Sequence, residues 1–341
     1  MGEISLADIA RGLDAMLDRQ MAVQARVVAH LVAAAEAAGH DVARVTATLD
    51  GVAARTALDE VWITDGQGFA YITNVRGESG EPVPFRFDPD PAVQPQASAF
   101  HRLLACDPDV DDVVAQRAQV REIDREVYKY VGVNGVDRRR IVQVGSALAF
   151  EEQAAASNAY ASPVMTAVMA AFGEPELLSN AFTSRLAEIG IVLEEILGHQ
   201  MIVQATLVDH FVGAAEEASW PAEAIDGSLA RSVSAPAGGE IRVLSRAGET
   251  VYAAPPASRA APSPAALRLA EELARPGAGA PREAACPAAE RTDEGAFHKH
   301  AAVVRARSPQ IVLVDQPLDD ASPVSPWFAG GSPPGSGSRT G

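Results

Sequence analysis

The segment QMAVQA (residues 20–25) recurs as QMIVQA (residues 200–205), at an offset of 180 residues. Identity at the same offset continues through Val28, His30, Val32, Ala34, Ala35, Glu36 and Ala38. An internal repeat of this kind decides how a chain is divided. The alanine matches carry little weight in an alanine-rich chain, but the glutamines, the methionine and the histidine predict two copies of one fold.

The repeat extends into sequence that predicts β-strands. The matching segments are EVWI (60–63) with EIRV (240–243), YKY (128–130) with HKH (298–300), and IVQV (141–144) with IVLV (311–314). The later pairs lie 170 residues apart, so the second copy lacks ten residues. We therefore predict units at 5–148 and 185–318, a helical connector at 149–184 and a disordered tail at 319–341.

Each copy predicts the same order of elements. Apolar residues at three- and four-residue spacing predict a long amphipathic helix over 5–38. The further predicted elements are a short helix at about 41–55, two strands within 61–73 around a D-G-x-G turn, a helix around 97–105, and a hairpin over 127–145 whose connection holds Asn134-Gly135. The fold class is therefore α+β, with an antiparallel sheet in each unit.

Composition excludes several classes of protein. The chain has 341 residues, 48% of them hydrophobic, and a formal net charge of −17. That charge opposes phosphate backbones and anionic membrane surfaces, so we expect no nucleic-acid partner and no membrane. Two cysteines are too few for a disulfide scaffold or a four-cysteine zinc site, and no signal peptide or spanning segment is evident, so a cytoplasmic location is expected.

The order of helix, strand pair, helix and hairpin, together with the sequence motifs of the first copy, resembles bacterial Cache and PAS-like sensor domains. The segments that carry the resemblance are WITD (62–65), FRF (85–87), QPQ (94–96), RE (121–122), YKYVGV (128–133) and RIVQVG (140–145). The first copy resembles a single-Cache sensor closely, and the second is a degenerate copy. The resemblance implies a ligand-sensing module that changes the activity of a partner.

Candidate ligand-binding residues lie in the first copy. Tyr128 and Tyr130 share one face of a predicted strand, while Lys129 faces the other side. Two tyrosines can line a pocket, or they are ordinary strand residues covered by a helix. Lys129 suits an anionic ligand, a buried glutamate partner or a solvent-facing position. With Trp62, and with Arg121 as a guanidinium for a carboxylate, they form the predicted site.

Histidines give an alternative interpretation. His30 and His210 occupy equivalent points on the two long helices, and imidazole is a common ligand of haem and metal ions. A haem- or metal-based gas or redox sensor using His30, His101 or His210 is therefore the alternative. Otherwise no cofactor is expected, and a buried histidine packed between helices is the structural alternative.

No catalytic motif is present: the sequence lacks a phosphate loop, H-E-x-x-H and G-x-S-x-G. We predict a non-enzymatic signal-transduction protein that binds a small molecule, with a carboxylate compound as one candidate. It would report to a separate protein such as a kinase or a chemotaxis component. A structural dimerisation scaffold is a further alternative.

Sequence identity between the two copies is highest in the long helices, whereas pocket residues such as Trp62 and both tyrosines are replaced in the second copy. We therefore predict that helix 5–38 packs beside helix 185–218 about a pseudo-twofold axis, as an intramolecular pseudo-dimer. A homodimer is also possible from such helices. The first copy is expected to bind ligand and the second to act as a scaffold.

Overall fold

The computed structural model describes residues 6–108, 110–120, 127–147, 186–234, 239–255, 262–275, 282–285, 290–291 and 297–318. The predicted connector and tail, and the candidate Arg121, lie outside the described residues. Where the chain is described, it forms helices and two antiparallel sheets, so the α+β fold class is confirmed.

The first unit opens with a long helix and continues into a sheet. Its elements are α1 (Leu6–Ala37), α2 (Val42–Ala53), β1 (Glu60–Thr64), β2 (Ala70–Thr73), α3 (Ser98–His101) with a following 3₁₀ turn (Arg102–Ala105), β3 (Val113–Ala115), β4 (Gln119–Val120), β5 (Val127–Asn134) and β6 (Ile141–Ala147). The strands lie in the order β2-β1-β6-β5-β3, and β4 also pairs with β5. The predicted helices, strand pair and hairpin are all present.

The second unit repeats this order. Its elements are α4 (Leu186–Glu217), α5 (Ala222–Ser232), β7 (Glu240–Leu244), β8 (Thr250–Ala254), α6 (Pro264–Ala274), β9 (Glu283–Ala285), β10 (Glu290–Arg291), β11 (Phe297–Val304) and β12 (Ile311–Leu318). The strands lie in the order β8-β7-β12-β11, and both β9 and β10 pair with β11, as β3 and β4 both pair with β5 in the first sheet. Even the bulge in β1, between Ile63 and Thr64, recurs in β7 between Val243 and Leu244.

Helices α1 and α4 pack against each other through a shared apolar core. The buried residues that contribute include Val27, Val28 and Leu31 of α1 and Leu207, Val208 and Phe211 of α4. The same cluster contains Val61 and Val131 from the first sheet and Ile241 and Val312 from the second. Each long helix therefore packs on its own sheet and on its partner helix.

Four glutamines cross this helix pair in a reciprocal pattern. Gln24 Nε2 donates to Gln200 Oε1 at 2.7 Å, and Gln204 Nε2 donates to Gln20 Oε1. Gln20 corresponds to Gln200 in the repeat, and Gln24 to Gln204. Exchanging the partners in this way is what a twofold axis produces, so the predicted pairing of the long helices is confirmed.

An arginine is buried against the end of each long helix, but the two arginines come from different positions. Arg140, which precedes β6, lies 3.0 Å from Glu36 of α1. Arg305, which follows β11, lies 2.9 Å from Glu216 of α4. The glutamates are equivalent in the repeat and the arginines are not. The arginine of this ion pair therefore comes from the end of the hairpin turn in the first unit and from the start of the hairpin turn in the second.

The described helices include none that is both long enough and apolar enough to cross a membrane. The long helices carry polar side chains such as Gln24 and Arg26 in their buried stretches.

Candidate functional site

A cavity of about 450 Å³ lies on the face of the first sheet that points away from α1. Trp62 of β1, Tyr130 of β5 and Gln143 of β6 form its floor. Residues of the loops before and after α3 close it; they are Val75, Arg76, Gly77, Glu78, Val83, Phe85, Phe87, Val93, Gln94, Gln96, Ala97 and Gln116, with Phe100 from α3 itself. This volume is within the range of small-molecule sites.

Aromatic rings form a continuous wall of the cavity. The ring centroids of Trp62 and Phe85 are 5.2 Å apart, and those of Phe85 and Phe87 are 5.0 Å apart with an edge-to-face angle of 90°. Phe87 in turn meets Phe100 at 6.3 Å and 75°. Such edge-to-face contacts are favourable and hold the ring positions. These contacts therefore hold the rings of the cavity wall in fixed positions relative to one another.

Glu60 places a carboxylate beside these rings. It is 5% exposed, and its Oε2 accepts hydrogen bonds from Trp62 Nε1 at 3.1 Å and from the Tyr130 hydroxyl at 2.9 Å. Glu60 and Trp62 share a face because side chains alternate along β1. The sequence analysis did not select Glu60, although its retention as Glu240 in the repeat next to a changed Trp62 was a signal that could have found it.

Two glycines make room for the aromatic side chains. A Cβ on Gly145, which pairs with Tyr130 across the sheet, would lie 2.6 Å from the Tyr130 ring. A Cβ on Gly132 would lie 2.6 Å from Phe100. Both distances are too short for a real contact, so the rings pack where these side chains are absent.

The structure brings together part of the predicted site. Trp62 and Tyr130 line the cavity, and Tyr128 stacks on Tyr130 with ring centroids 5.5 Å apart and an angle of 13°. The two tyrosines thus share a face, as their spacing predicts. Arg121 lies outside the described residues, so its proposed role stays a prediction.

Lys129 is placed differently from its predicted role in ligand binding. It points to the α1 side of the sheet, where its Nζ lies 2.6 Å from Asp14 and 2.7 Å from Asp18. Its side chain has no exposure to solvent. Lys129 therefore joins the sheet to α1 through two aspartates, and it does not line the cavity. A solvent-facing lysine is excluded, and the acidic partners are aspartates where the sequence suggested a buried glutamate.

In the second unit, charged side chains occupy the equivalent face. Arg242 stands where the first unit has Trp62, and its guanidinium lies 2.7 Å from Glu240, the counterpart of Glu60. Helix α6 covers part of this face, with Leu269 and Leu273 in one cluster with Leu313. An open groove of about 780 Å³ lies between α6 and the β7–β8 turn, and none of these charged residues lines it.

The tyrosines are replaced by a histidine and aspartate cluster. His298 Nδ1 lies 2.7 Å from Asp315, and His300 Nδ1 lies 3.4 Å from the same carboxylate. Asp315 stands at the position of Gly145, across from His300. The hydrogen bond to Asp315 raises the pKa of His298, although burial opposes the rise.

The three histidines of the haem or metal alternative do not meet at one site. His30 is buried in the helix pair, with its ring 5.8 Å from that of Phe211. His210 borders a small cavity of about 40 Å³ between the units, and His101 ends α3. None of them lines the 450 Å³ cavity. The described part of the chain also holds no group of three or more His, Cys, Asp or Glu side chains placed to bind a metal ion.

Comparisons with known proteins add little to this geometry. No protein-family model matches the chain, and no curated protein matches it. A solved structure that aligns with it is the extracellular domain of a protein assigned as a histidine kinase. The alignment has 11% sequence identity and a TM-score of 0.19, and it covers 79% of this chain and 75% of that chain. A likeness this weak carries no argument, so the resemblance to Cache and PAS-like domains stays a prediction.

We expect Gly145→Ala to lower the free energy of unfolding by about 1–3 kcal/mol, because the added methyl group overpacks against the Tyr130 ring. Gly51→Ala is the matched control. A Cβ at Gly51 meets nothing within 4 Å, and alanine is the better helix former, so this change should be neutral or stabilising by up to about 1 kcal/mol. Urea unfolding measures both. Equal stability of Gly145→Ala and wild type would contradict the close packing of Tyr130 on β6.

A second prediction concerns His30. Burial, with a further contribution from Arg231, lowers its pKa from 6.5 to about 3. Between these values only the unfolded chain binds the proton, so this group should cost the fold about 1.4 kcal/mol for each pH unit below 6.5. His30→Leu removes that cost. Unfolding free energies at pH 7, 6 and 5 should therefore fall less steeply in the variant. Parallel pH curves for variant and wild type would show that His30 is not held neutral.

Proposed function

We propose that this chain is a non-enzymatic sensor of a small molecule, which binds in the cavity of the first unit, and that the second unit is a scaffold. One observation carries the proposal. Positions that line an aromatic cavity in the first sheet hold charged pairs in the second, while the helix pair that joins the units is retained. A difference confined to one face of two related sheets fits a division between ligand binding and support.

The strands of the first sheet offer a route from cavity to helix. Tyr130 contributes to the cavity, and the next residues on either side of it, Lys129 and Val131, belong to the α1 side. A ligand that shifts Tyr130 would also shift the strand that holds Lys129 against Asp14. Ligand binding would thereby change the position of α1 in the helix pair.

A separate signalling protein, such as a kinase or a chemotaxis component, would read this change. A cytoplasmic location is part of the same proposal and rests on the sequence. The haem or metal alternative gains no support from the described histidines, because they lie apart from the cavity. A pure dimerisation scaffold would leave the aromatic cavity of the first unit without a role.

The proposal is tested by thermal unfolding of the full chain with a library of small organic molecules. A ligand at a free concentration of 100 times its Kd adds about 2.7 kcal/mol to the free energy of unfolding, which raises Tm by several degrees. Ala97→Trp fills the cavity and should abolish the rise. Ala247→Trp adds the same side chain to the exposed β7–β8 turn of the second unit and should preserve it.

The controls separate the two units. A Tm rise that survives in Ala97→Trp but disappears in Ala247→Trp would place binding in the second unit and contradict the proposal. A library that stabilises none of the three proteins would count against a ligand-binding role for this cavity.

A further inference from the structure

We propose that the ligand of the first unit is a flat ring compound whose edge carries an amide, as in a lactam or an aromatic carboxamide, and that this edge pairs with the side-chain amide of Gln143. This inference rests on the proposed function and names the ligand class for the same cavity. It replaces the carboxylate ligand that Arg121 and Lys129 suggested in the sequence.

Gln143 is a buried polar side chain in the floor of the cavity. It belongs to β6, is 5% exposed and lines the 450 Å³ space. Within the part of the chain that the structure describes, its side-chain amide makes no hydrogen bond with another protein group. A buried amide without a partner costs free energy, which a bound molecule recovers when it supplies the missing hydrogen bonds. The Gln143 amide is therefore a recognition group for whatever enters the cavity.

The other glutamines of the lining are engaged with the loops that close the cavity. Both amide atoms of Gln94 bond to the backbone of its own loop. Gln96 Nε2 donates to the backbone carbonyl of Val120 at 2.9 Å, and Gln116 Nε2 donates to the backbone carbonyl of Gln96. These amides join loop to loop. Gln143 differs from them because it stands on a strand and faces the space that the loops enclose.

The chemistry of an amide decides which ligand it distinguishes best. The Gln143 side chain offers one acceptor oxygen and an NH₂ group with two donors. A carboxylate can use only the donors, and an ammonium can use only the acceptor. A ligand with an N–H beside a carbonyl uses both at once, in two antiparallel hydrogen bonds. Water can satisfy the amide in the free protein, so a ligand must reproduce these bonds to gain affinity.

The aromatic lining favours a flat ring beside that amide. Trp62 pairs with Gln143 across β1 and β6, so the indole and the amide are neighbours on one face of the sheet. Phe85, Phe87 and Tyr130 line the same space. Aromatic rings gain free energy from stacked and edge-to-face contacts with other rings. A ring packed among these side chains would bring a polar edge to Gln143.

The second unit provides an independent observation. Leu313 is the counterpart of Gln143, and it pairs with Arg242 as Gln143 pairs with Trp62. Leu313 is 1% exposed and lies in one apolar cluster with Leu269 of α6. Where protein covers this face of the sheet, the position is apolar. The amide occurs in the unit that has the aromatic cavity, as a role in ligand binding requires.

Three bicyclic probes test the inference: 1-isoquinolone, isocoumarin and 1-naphthoate. The first is a lactam, the second has a ring oxygen in place of the lactam N–H, and the third carries a carboxylate. Each is titrated into the full chain by calorimetry at pH 7. We expect the lactam to bind at least about tenfold more tightly than the other two, because isocoumarin and 1-naphthoate both leave the acceptor oxygen of Gln143 without a donor.

Gln143→Leu copies the second unit and should remove the preference, so that the lactam and isocoumarin bind within about twofold of each other. Gln67→Leu makes the same chemical change in the exposed β1–β2 turn and should preserve the preference. Ala97→Trp, which fills the cavity, should abolish binding of the lactam.

A structural role for Gln143 is separated from ligand recognition by the stability of the free protein. An amide without a protein partner adds nothing to the fold, so the urea midpoint without ligand should be no lower in Gln143→Met than in wild type. Gln143→Met keeps the length of the side chain and should lose the lactam preference as Gln143→Leu does. It protects the test against poor packing of leucine.

The contradicting outcomes are distinct. Equal binding of the lactam and isocoumarin to wild type, or a lactam preference that survives in both Gln143 variants, would overturn the amide inference and leave the proposed function standing. Tighter binding of 1-naphthoate, lost in Arg121→Ala, would do the same and restore the carboxylate ligand. Binding of none of the probes would overturn the inference and, together with a failed library screen, the proposed function as well.

Discussion

The packing of α1 against α4 is the interaction on which the rest of the structure depends. Each helix covers one face of its own sheet and still has apolar surface that needs a partner. The two helices supply that partner to each other, so the two sheets share one core. The reciprocal bonds between Gln24 and Gln200, and between Gln204 and Gln20, fix the register of the pair. Buried amides of this kind specify one alignment, because a slipped register would leave them without hydrogen bonds.

Once the helix pair is fixed, the outer faces of the sheets are able to differ. In the first unit the Tyr130 ring occupies the space that a side chain at Gly145 would need, and this face of the sheet holds a cavity with aromatic walls. In the second unit the same pair of positions holds His300 and Asp315. The changes are coupled, because a side chain at Gly145 is incompatible with the tyrosine ring. Divergence therefore proceeded in pairs of residues on the outer face, while the inner face kept its valines and isoleucines.

The sequence predicts the repeated parts of the fold best. The long helices, the D-G-x-G strand pair and the Asn134-Gly135 hairpin follow from periodicity and turn chemistry, both of which are local. The short strands β3, β4, β9 and β10 have two or three residues each and are too short to show a pattern. They form because β5 and β11 present unpaired edges, and that is a tertiary effect.

The candidate site was partly predictable for the same reason. The alternation of side chains along β5 correctly places Tyr128 and Tyr130 on one face of the sheet and Lys129 on the other. It does not show which of the two faces packs against α1. The prediction therefore gave Lys129 a ligand, whereas Asp14 and Asp18 of α1 are its partners. Glu60 escaped attention because its role depends on donors from two strands. Pairwise contacts across strands and helices are the part of the site that local sequence does not contain.

The central claim is that the helix pair joins both units into one cooperative body, and native-state hydrogen exchange tests it most directly. Amides in residues 20–31 of α1 and 200–211 of α4 should open with the same free energy, equal to that of global unfolding measured in urea. Low concentrations of denaturant should leave this equality unchanged. Opening of α4 at a clearly lower free energy than α1 would show that the second unit unfolds alone, and it would contradict the shared core.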